Sequence, residues 1–250
     1  VLYITLEMAE ERIAERIDAN LMNITLDELK VVDKNAYNGR ISKIAQKTQG
    51  KLIIKEYPTA GAHSGHFRAL FEELKIKRDF IPDLVVIDYL NICASARMKM
   101  GAAVNSYTYV KSIAEELRGL AVEYNIPILT ATQTTRSGFN NSDVELTDTS
   151  ESFGLPATAD LMFALIRSEE LDQLDQVMIK QLKNRYADPT KYKRFVLGVD
   201  RAKMKLYDVE ESAQRDIADS GQDEEDDTPA FDRTKFGKRS GNNNFNDFKY

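Results

Sequence analysis

The chain has 250 residues, of which 42% are hydrophobic and 30% charged, and its formal net charge is −6. No apolar run approaches the roughly 20 residues that a membrane-spanning helix needs, which excludes a protein anchored by such a helix. The single cysteine, Cys93, excludes a disulfide framework and a cysteine-based zinc site and indicates an intracellular protein, and the opening residues lack the features of a signal peptide.

The negative charge is concentrated near the end of the chain. Residues 1–207 carry 28 acidic and 28 basic side chains, residues 208–233 carry 11 acidic and 2 basic ones, and residues 234–250 carry 1 acidic and 4 basic ones. A neutral body argues against binding of nucleic acid by one whole charged face. We predict one domain at residues 1–211 and a disordered tail at residues 212–250. The acidic tail either docks on a basic pocket of a partner protein, or mimics nucleic acid, or is an inert solvating segment.

Strand and helix patterns alternate along the domain. A buried strand opens the chain and a helix follows to about Met22, and a second helical stretch begins after Thr25, which forms a capping box with Glu28. The further predicted elements are, in chain order, a strand at 51–57, a helix from His66 to about Lys77, a buried strand at 84–88, a helix from about Ser106 to Tyr124, buried strands at 126–133, 161–166 and 176–182, and strands at 194–200 and 204–207.

This alternation is typical of βαβ units. It predicts an α/β fold with a mostly parallel sheet sandwiched by helices. The last strands follow one another closely, which predicts antiparallel edge strands.

Three of the predicted strands end on polar residues, namely Glu7, Asp88 and Gln133. Ligands of open parallel sheets bind beyond the carboxyl ends of the strands. An aspartate there can hold the Mg²⁺ of a nucleotide, a glutamate can polarise an attacking water, and an amide can detect a γ-phosphate. The structural alternatives are a turn cap for Asp88, a favourable helix N-terminal charge for Glu7 and a backbone hydrogen bond for Gln133.

Two cations, Lys183 and Arg185, lie at the tip of a predicted hairpin. Because they are two residues apart, they lie on the same side of a strand. At a sheet edge they could reach a nucleotide held by a neighbouring subunit, as an arginine finger does. The alternative is a solvated basic turn.

Two histidines, His63 and His66, precede a predicted helix at i, i+3 spacing. With no cysteine nearby, this arrangement favours helix capping or loop packing over metal binding.

Three motifs resemble, in order and spacing, those of the DnaB-type hexameric replicative helicases, above all the branch found in T-even-type bacteriophages. They are Thr5-Leu-Glu-Met, Leu84-Val-Val-Ile-Asp-Tyr-Leu-Asn and Thr130-Ala-Thr-Gln-Thr-Thr-Arg-Ser, within a resemblance that covers residues 1–207. The resemblance implies a RecA-like motor that hydrolyses ATP or another NTP with Mg²⁺ and moves on single-stranded DNA as a hexameric ring. It also implies that the protein interacts with primase, a helicase loader and other replisome proteins in the cytoplasm of a bacterial host.

The resemblance also implies a role for each polar residue already described. Glu7 would be the catalytic base, Asp88 the Mg²⁺ ligand and Gln133 the γ-phosphate sensor. Lys183 and Arg185 would contact the nucleotide of the adjacent subunit.

Contacts with DNA are implied in two segments after Gln133. The implied residues are Arg136, Ser137 and Asn140 in the first segment, and Ser150, Glu151, Ser152 and Gly154 in the second. Where the family has a run like Arg-Glu-Ser-Gly, this chain reads Ser150-Glu-Ser-Phe-Gly154, so the expected arginine is absent. Phosphate contacts there would come from hydroxyl and main-chain N–H groups.

The phosphate-binding run Gly-x-x-x-x-Gly-Lys-Ser/Thr does not occur in these 250 residues. The chain starts within a strand and not with Met, so we expect a longer protein with that loop upstream, and we expect the isolated chain to bind nucleotide poorly. Two alternatives remain: a recombinase of the same fold that forms filaments on DNA, and a degenerate ATPase that serves as a non-catalytic interaction module.

Overall fold

The computed structural model describes residues 1–99, 105–134, 154–188 and 193–210. Its first half is built around a four-stranded parallel sheet. Thr5 lies opposite both Glu56 and Asp88, so the carboxyl ends of three strands meet at one edge. The strands are β1 (Leu2–Thr5), β2 (Ile53–Glu56), β3 (Val85–Asp88) and β4 (Ile128–Thr130), in the spatial order β2-β1-β3-β4.

Five α-helices accompany this sheet in the described residues: α1 (Glu10–Met22), α2 (Leu26–Val31), α3 (Lys34–Lys47), α4 (Ser64–Arg78) and α5 (Ser106–Tyr124), and a 3-10 helix covers Leu90–Ile92. The strands and helices α4 and α5 share one core, in which Leu2, Ile4, Phe67, Val85 and Ile113 are almost completely buried. In the part of the chain that the structure describes, no helix has the length and apolarity needed to cross a membrane.

Local capping explains where several helices begin. The predicted capping box is confirmed, because Glu28 N donates to Thr25 Oγ1 and Thr25 N donates to Glu28 Oε2. The helical stretch after Thr25 is two helices, because the Asp33 side chain caps a new one at α3. His63 and His66 form a reciprocal cap at the start of α4, as the capping interpretation predicts.

The second half of the chain forms an antiparallel sheet of its own. Helix α6 (Gly154–Thr158) precedes β5 (Leu161–Ile166), helix α7 (Glu169–Gln173) follows it, and the remaining strands are β6 (Gln176–Asn184), β7 (Arg194–Asp200) and β8 (Lys205–Asp208). The antiparallel character of these strands is confirmed. They do not extend the parallel sheet as edge strands, since their hydrogen bonds join them in the order β5-β6-β7-β8.

Two of the strands predicted to be buried have an open face. In β5, Leu161, Phe163 and Leu165 are 48%, 44% and 67% exposed, and only the alternate residues Ala164 and Ile166 are buried. Strand β4 covers three residues instead of the predicted eight, and its Leu129 is 59% exposed. Both predictions were wrong because, within the described residues, no element covers the second face of these strands, and an apolar sequence does not ensure such a cover.

The two halves are joined by contacts around α5 and α1. Leu155 of α6 is part of the main core and Met162 of β5 packs against it. On the other side, Leu26 N donates to Ala202 O at 3.0 Å and Asn20 Nδ2 donates to Met204 O.

A buried carboxylate fixes the loop that follows β3. Glu116 of α5 accepts hydrogen bonds from the hydroxyls of Ser64 and Ser95 and from the main-chain N–H groups of Ala96 and Arg97. Burial acts to raise the pKa of Glu116, but these hydrogen bonds outweigh it and hold the pKa below its usual value.

Replacing Glu116 by Ala is expected to lower the free energy of unfolding by about 3 kcal/mol, because each buried donor left without an acceptor costs about 1–3 kcal/mol. Urea unfolding of the chain measures this, with Glu115→Ala as the control, since Glu115 forms only half-exposed ion pairs. Because the folded pKa lies below the unfolded value of roughly 4.3, the stabilisation is complete above that pH and is lost as the pH falls through the folded pKa. Equal losses in the two variants would contradict the anchoring role.

Candidate active site

The loop that carries Glu7 is held in place from several sides. Leu6 N donates to Asp88 O at 2.9 Å and the Thr59 hydroxyl donates to Leu6 O at 2.7 Å. Met8 N donates to Thr5 Oγ1 at 3.1 Å. Glu7 itself is exposed and, among the described residues, makes no hydrogen bond or ion pair. The carboxylate therefore projects from a fixed loop at the edge where the parallel strands end.

A tyrosine on the neighbouring strand orients Asp88. Tyr3 lies opposite Val86, so Tyr3 and Asp88 lie on the same face of the sheet, and the Tyr3 hydroxyl donates to Asp88 Oδ2 at 2.8 Å. Within the described chain Tyr3 is the one donor to this carboxylate, and the turn-cap alternative for Asp88 is not observed. One carboxylate oxygen is left for a ligand.

The pKa of the Tyr3 hydroxyl is affected by the charged residues around it. Burial, then the hydrogen bond to Asp88, raises the pKa of Tyr3 above its usual value, and the negative charges of Asp88 and Glu7 add to this effect. Arg16 of α1 opposes it. Tyr3 therefore stays a neutral donor, and Glu7, Asp88 and Arg16 all lie within electrostatic reach of its hydroxyl.

The predicted sensor Gln133 lies three residues beyond the end of β4, because that strand ends at Thr130. Its side-chain amide donates to the Tyr89 hydroxyl at 3.1 Å, instead of bonding to the backbone. Leu90 N donates to Ala131 O at 3.1 Å, and Thr130 Oγ1 donates to Ile87 O at 2.8 Å. The segments after β3 and β4 are thus joined, and Gln133 lies beside the residue that follows Asp88.

These contacts bring Glu7, Asp88 and Gln133 to one edge of the parallel sheet, as the strand-end pattern predicts. Mg²⁺ in nucleotide sites is typically held by one or two protein carboxylates together with phosphate oxygens and water. A single carboxylate with a free oxygen fits that coordination. In the described residues no cluster of three or more potential metal-ligating side chains occurs.

Lys183 and Arg185 lie on a different surface. Lys183, near the end of β6, donates to Pro156 O, and Arg185, just beyond it, forms an ion pair with Asp160 at 2.7 Å. In the described residues, none of their hydrogen bonds or ion pairs goes to Glu7, Asp88 or Gln133. Their placement on one side agrees with their spacing, and their role stays a prediction.

Most of the predicted DNA contacts lie outside the described residues. These are Arg136, Ser137, Asn140, Ser150, Glu151 and Ser152, and the predicted tail at 212–250 lies outside them as well. Gly154 is described, and it is a buried residue at the start of α6.

Sequence reasoning missed Tyr3, Tyr89, Arg118 and Asp160. The partners of Tyr3 and Arg118 are 85 and 42 residues away along the chain. The register of β1 and β3 brings Tyr3 to Asp88, and the packing of α5 beside α6 brings Arg118 to Asp160. Tyr89 alone carries a sequence signal, since it directly follows the strand-end aspartate.

Known proteins match both the sequence and the fold. The family model of the DnaB-like helicase C-terminal domain matches residues 1–195. The DnaB-like replicative helicase of Enterobacteria phage T4 is 46% identical over 216 residues, which are 85% of this chain and 45% of that protein. The replicative DNA helicase DnaB of Helicobacter pylori strain 26695 is 26% identical over 167 residues, 65% of this chain and 33% of that protein.

The fold is also similar to that of solved structures. A structure described as an ATPase domain has a TM-score of 0.67 at 19% identity, covering 84% of this chain and 75% of that one. A DnaB-like replicative helicase whose interactions with primase were described has a TM-score of 0.66 at 18% identity, covering 84% and 50%. These neighbours show a RecA-like fold. The chain spans less than half the length of the curated relatives that it matches, and it belongs to the family of DnaB-like helicase C-terminal domains.

Proposed function

We propose that the chain is the motor domain of a replicative DNA helicase. It hydrolyses ATP or another NTP with Mg²⁺ at the interfaces of a hexameric ring, and hydrolysis moves the ring along single-stranded DNA and unwinds the duplex ahead. The observation that carries the proposal is the convergence of Glu7, Asp88 and Gln133 at one sheet edge, in a chain of the DnaB-like family. The phosphate-binding loop would be supplied by sequence upstream of Val1.

Each residue has a defined task in this proposal. Glu7 takes a proton from the attacking water. Asp88, held by the Tyr3 hydroxyl, binds the metal ion, which neutralises charge on the phosphates when it is bound. Lys183 and Arg185 of one subunit reach the nucleotide held at Glu7 and Asp88 of the next, because no described contact brings the two groups together within one subunit.

Gln133 links the nucleotide to DNA in this proposal. Its amide rests on the Tyr89 hydroxyl and can turn toward a γ-phosphate. The segment that follows it contains Arg136, Ser137 and Asn140, which we propose as DNA contacts together with Ser150, Glu151, Ser152 and Gly154. A shift of Gln133 would therefore pass directly to residues at the DNA.

The proposal also covers the partner proteins of the ring and the place where it acts. Primase, a helicase loader and other replisome proteins are proposed partners, and the tail is a proposed docking segment for them. If the gene belongs to a phage, as that of the T4 relative does, the protein would act in the cytoplasm of the bacterial host. Neither the filament-forming recombinase nor the non-catalytic module gains support from the comparisons, since the matching curated relatives carry helicase names.

Replacing Gln133 by Ala is expected to leave nucleotide binding unchanged and to abolish the stimulation of hydrolysis by DNA, because the amide that reports the γ-phosphate is lost. The measurement is ATP hydrolysis with and without single-stranded DNA, using the full-length product of the gene. Gln46→Ala, an exposed glutamine on α3, is the control. Full stimulation in Gln133→Ala would refute the sensor role, and a wild type indifferent to DNA would refute the helicase proposal.

A further inference from the structure

Asp160 bridges two arginines that come from different parts of the fold. Its Oδ1 accepts from Arg118 Nη1 of α5 at 2.9 Å and from Arg185 Nη1 at 2.7 Å. The main chain strengthens the second link, because Arg185 N donates to Asp160 O at 2.9 Å. Arg185 is therefore attached to Asp160 through both its backbone and its side chain.

Carbonyl groups at the end of α6 complete this arrangement. Arg185 Nη2 donates to Ala157 O at 3.1 Å and Arg118 Nη1 donates to Thr158 O at 2.7 Å, while Lys183 donates to Pro156 O. The last carbonyls of a helix have no partner within the helix and attract cations. Counted over the described residues, the guanidinium of Arg185 thus has two of its five N–H donors engaged, and its side chain remains 41% exposed.

The charges of this group are unbalanced. Arg118, Lys183 and Arg185 supply three positive charges against the single carboxylate of Asp160. The cations lie close together, because Arg118 and Arg185 share one oxygen of Asp160. Burial, and then the charge of Arg185, lowers the pKa of Lys183 from its usual value. An open cleft of about 660 Å³, lined in part by Arg118, Ala157 and Thr158, lies beside them. The excess charge favours an external anion at this surface.

We propose that Asp160 and Arg118 are positioning residues that fix the direction in which Arg185 points toward the nucleotide of the adjacent subunit. The inference rests on the proposed function, in which Arg185 acts across the subunit interface. Arg118 holds Asp160, and Asp160 and the Ala157 carbonyl each engage one terminal nitrogen of the Arg185 guanidinium, which fixes its plane. Without the carboxylate, the cations repel one another and the long arginine side chain loses its single orientation.

The chain contains a matched control for this arrangement. Asp172 also bridges two arginines of the antiparallel half, Arg167 at 2.9 Å and Arg201 at 2.7 Å. Its side chain is 37% exposed against 33% for Asp160. Asp172 therefore has the same local chemistry as Asp160 but no link to Arg185.

The test measures kcat and KM for ATP hydrolysis with saturating single-stranded DNA in the full-length protein. Asp160→Asn is expected to lower kcat roughly 10- to 100-fold, since a catalytic group displaced by about 1 Å costs on that order, and to leave KM within about 2-fold of the wild type. Arg118→Met should lower kcat in the same direction, and it serves if Asp160→Asn does not fold. Asp172→Asn should retain the wild-type kcat.

A double variant separates positioning from general stability. If Asp160 acts through Arg185, then Asp160→Asn adds no further loss of kcat in an Arg185→Ala background. Additive losses, a raised kcat in Asp160→Asn, or the same kcat in Asp160→Asn and Asp172→Asn would each overturn the positioning role. Arg185→Ala alone distinguishes the two proposals, because a wild-type kcat there refutes the action across the interface itself.

Discussion

Arg185→Ala is expected to lower kcat for ATP hydrolysis by about 10³-fold or more, which is what an arginine finger contributes to phosphoryl transfer, without weakening ATP binding. In the proposed ring this guanidinium neutralises charge that develops on the neighbour's phosphates, and the binding contacts lie on the other subunit. Measurement of single-turnover hydrolysis and of nucleotide affinity in the full-length protein tests both parts of the expectation. Arg201→Ala is the matched control, because Arg201 forms ion pairs of similar exposure with Asp172 and Asp175 of the same half.

Mixing experiments decide whether Arg185 acts within a subunit or across the interface. If it acts across, wild-type subunits next to an Arg185→Ala subunit lose their finger, so activity falls faster than the fraction of wild-type protein. If it acts within its own subunit, activity falls in proportion to that fraction. Normal hydrolysis by Arg185→Ala would refute the action of this residue across the interface, whereas a full-length wild type that does not hydrolyse ATP would favour the non-catalytic interaction module.

The core elements could be predicted from the sequence because their patterns carry the physical cause of folding. The stripe Phe67, Leu70, Phe71 and Leu74 repeats at helical spacing, and all four side chains are buried in α4. The apolar run before Asp88 has no polar position to expose, so it forms a central strand, β3. The convergence of Glu7 and Asp88 followed from the parallel strands alone, since their carboxyl ends meet at one edge.

Other features could not be predicted because they depend on what covers an element. The run at 161–166 is as apolar as that of β3, yet in the described chain one face of β5 lacks a cover and alternate residues stay exposed. The local sequence indicates which residues prefer burial, but it does not indicate whether another element packs over them. The break between α2 and α3 carried a local signal, because Asp33 is a helix-capping residue type at the correct position.

The contacts that refine the candidate site are of the same unpredictable kind. Tyr3 reaches Asp88 only because β1 and β3 are neighbours in a fixed register. Arg118 reaches Asp160 only because α5 packs beside α6. Candidate site residues could be predicted where they lie at the end of a single strand. They could not be predicted where a contact joins two segments that are distant in the sequence.

Glu7→Gln is expected to lower kcat for hydrolysis by about 10²- to 10⁴-fold, which is the range that a positioned general base contributes, while ATP binding stays intact. The amide keeps the size and hydrogen-bonding reach of the side chain but cannot accept the proton of the attacking water. Hydrogen bonds from Leu6, Thr59 and Thr5 hold the loop independently of the Glu7 side chain, so the substitution should not move Asp88. Nucleotide affinity and single-turnover hydrolysis of the full-length protein measure the two effects separately.

Glu11→Gln controls for the loss of a negative charge near the start of α1, since Glu11 is an exposed residue of its first turn. If Glu7 contributed only a favourable charge to the helix dipole, both variants would lose a few tenths of a kcal/mol to about 1 kcal/mol of stability and hydrolyse ATP equally well. A large loss of kcat in Glu7→Gln alone places the base at the end of β1. Together with the trans effect of Arg185, that result would put the two halves of the reaction on two subunits, so the ring and not the single chain would be the unit that hydrolyses ATP.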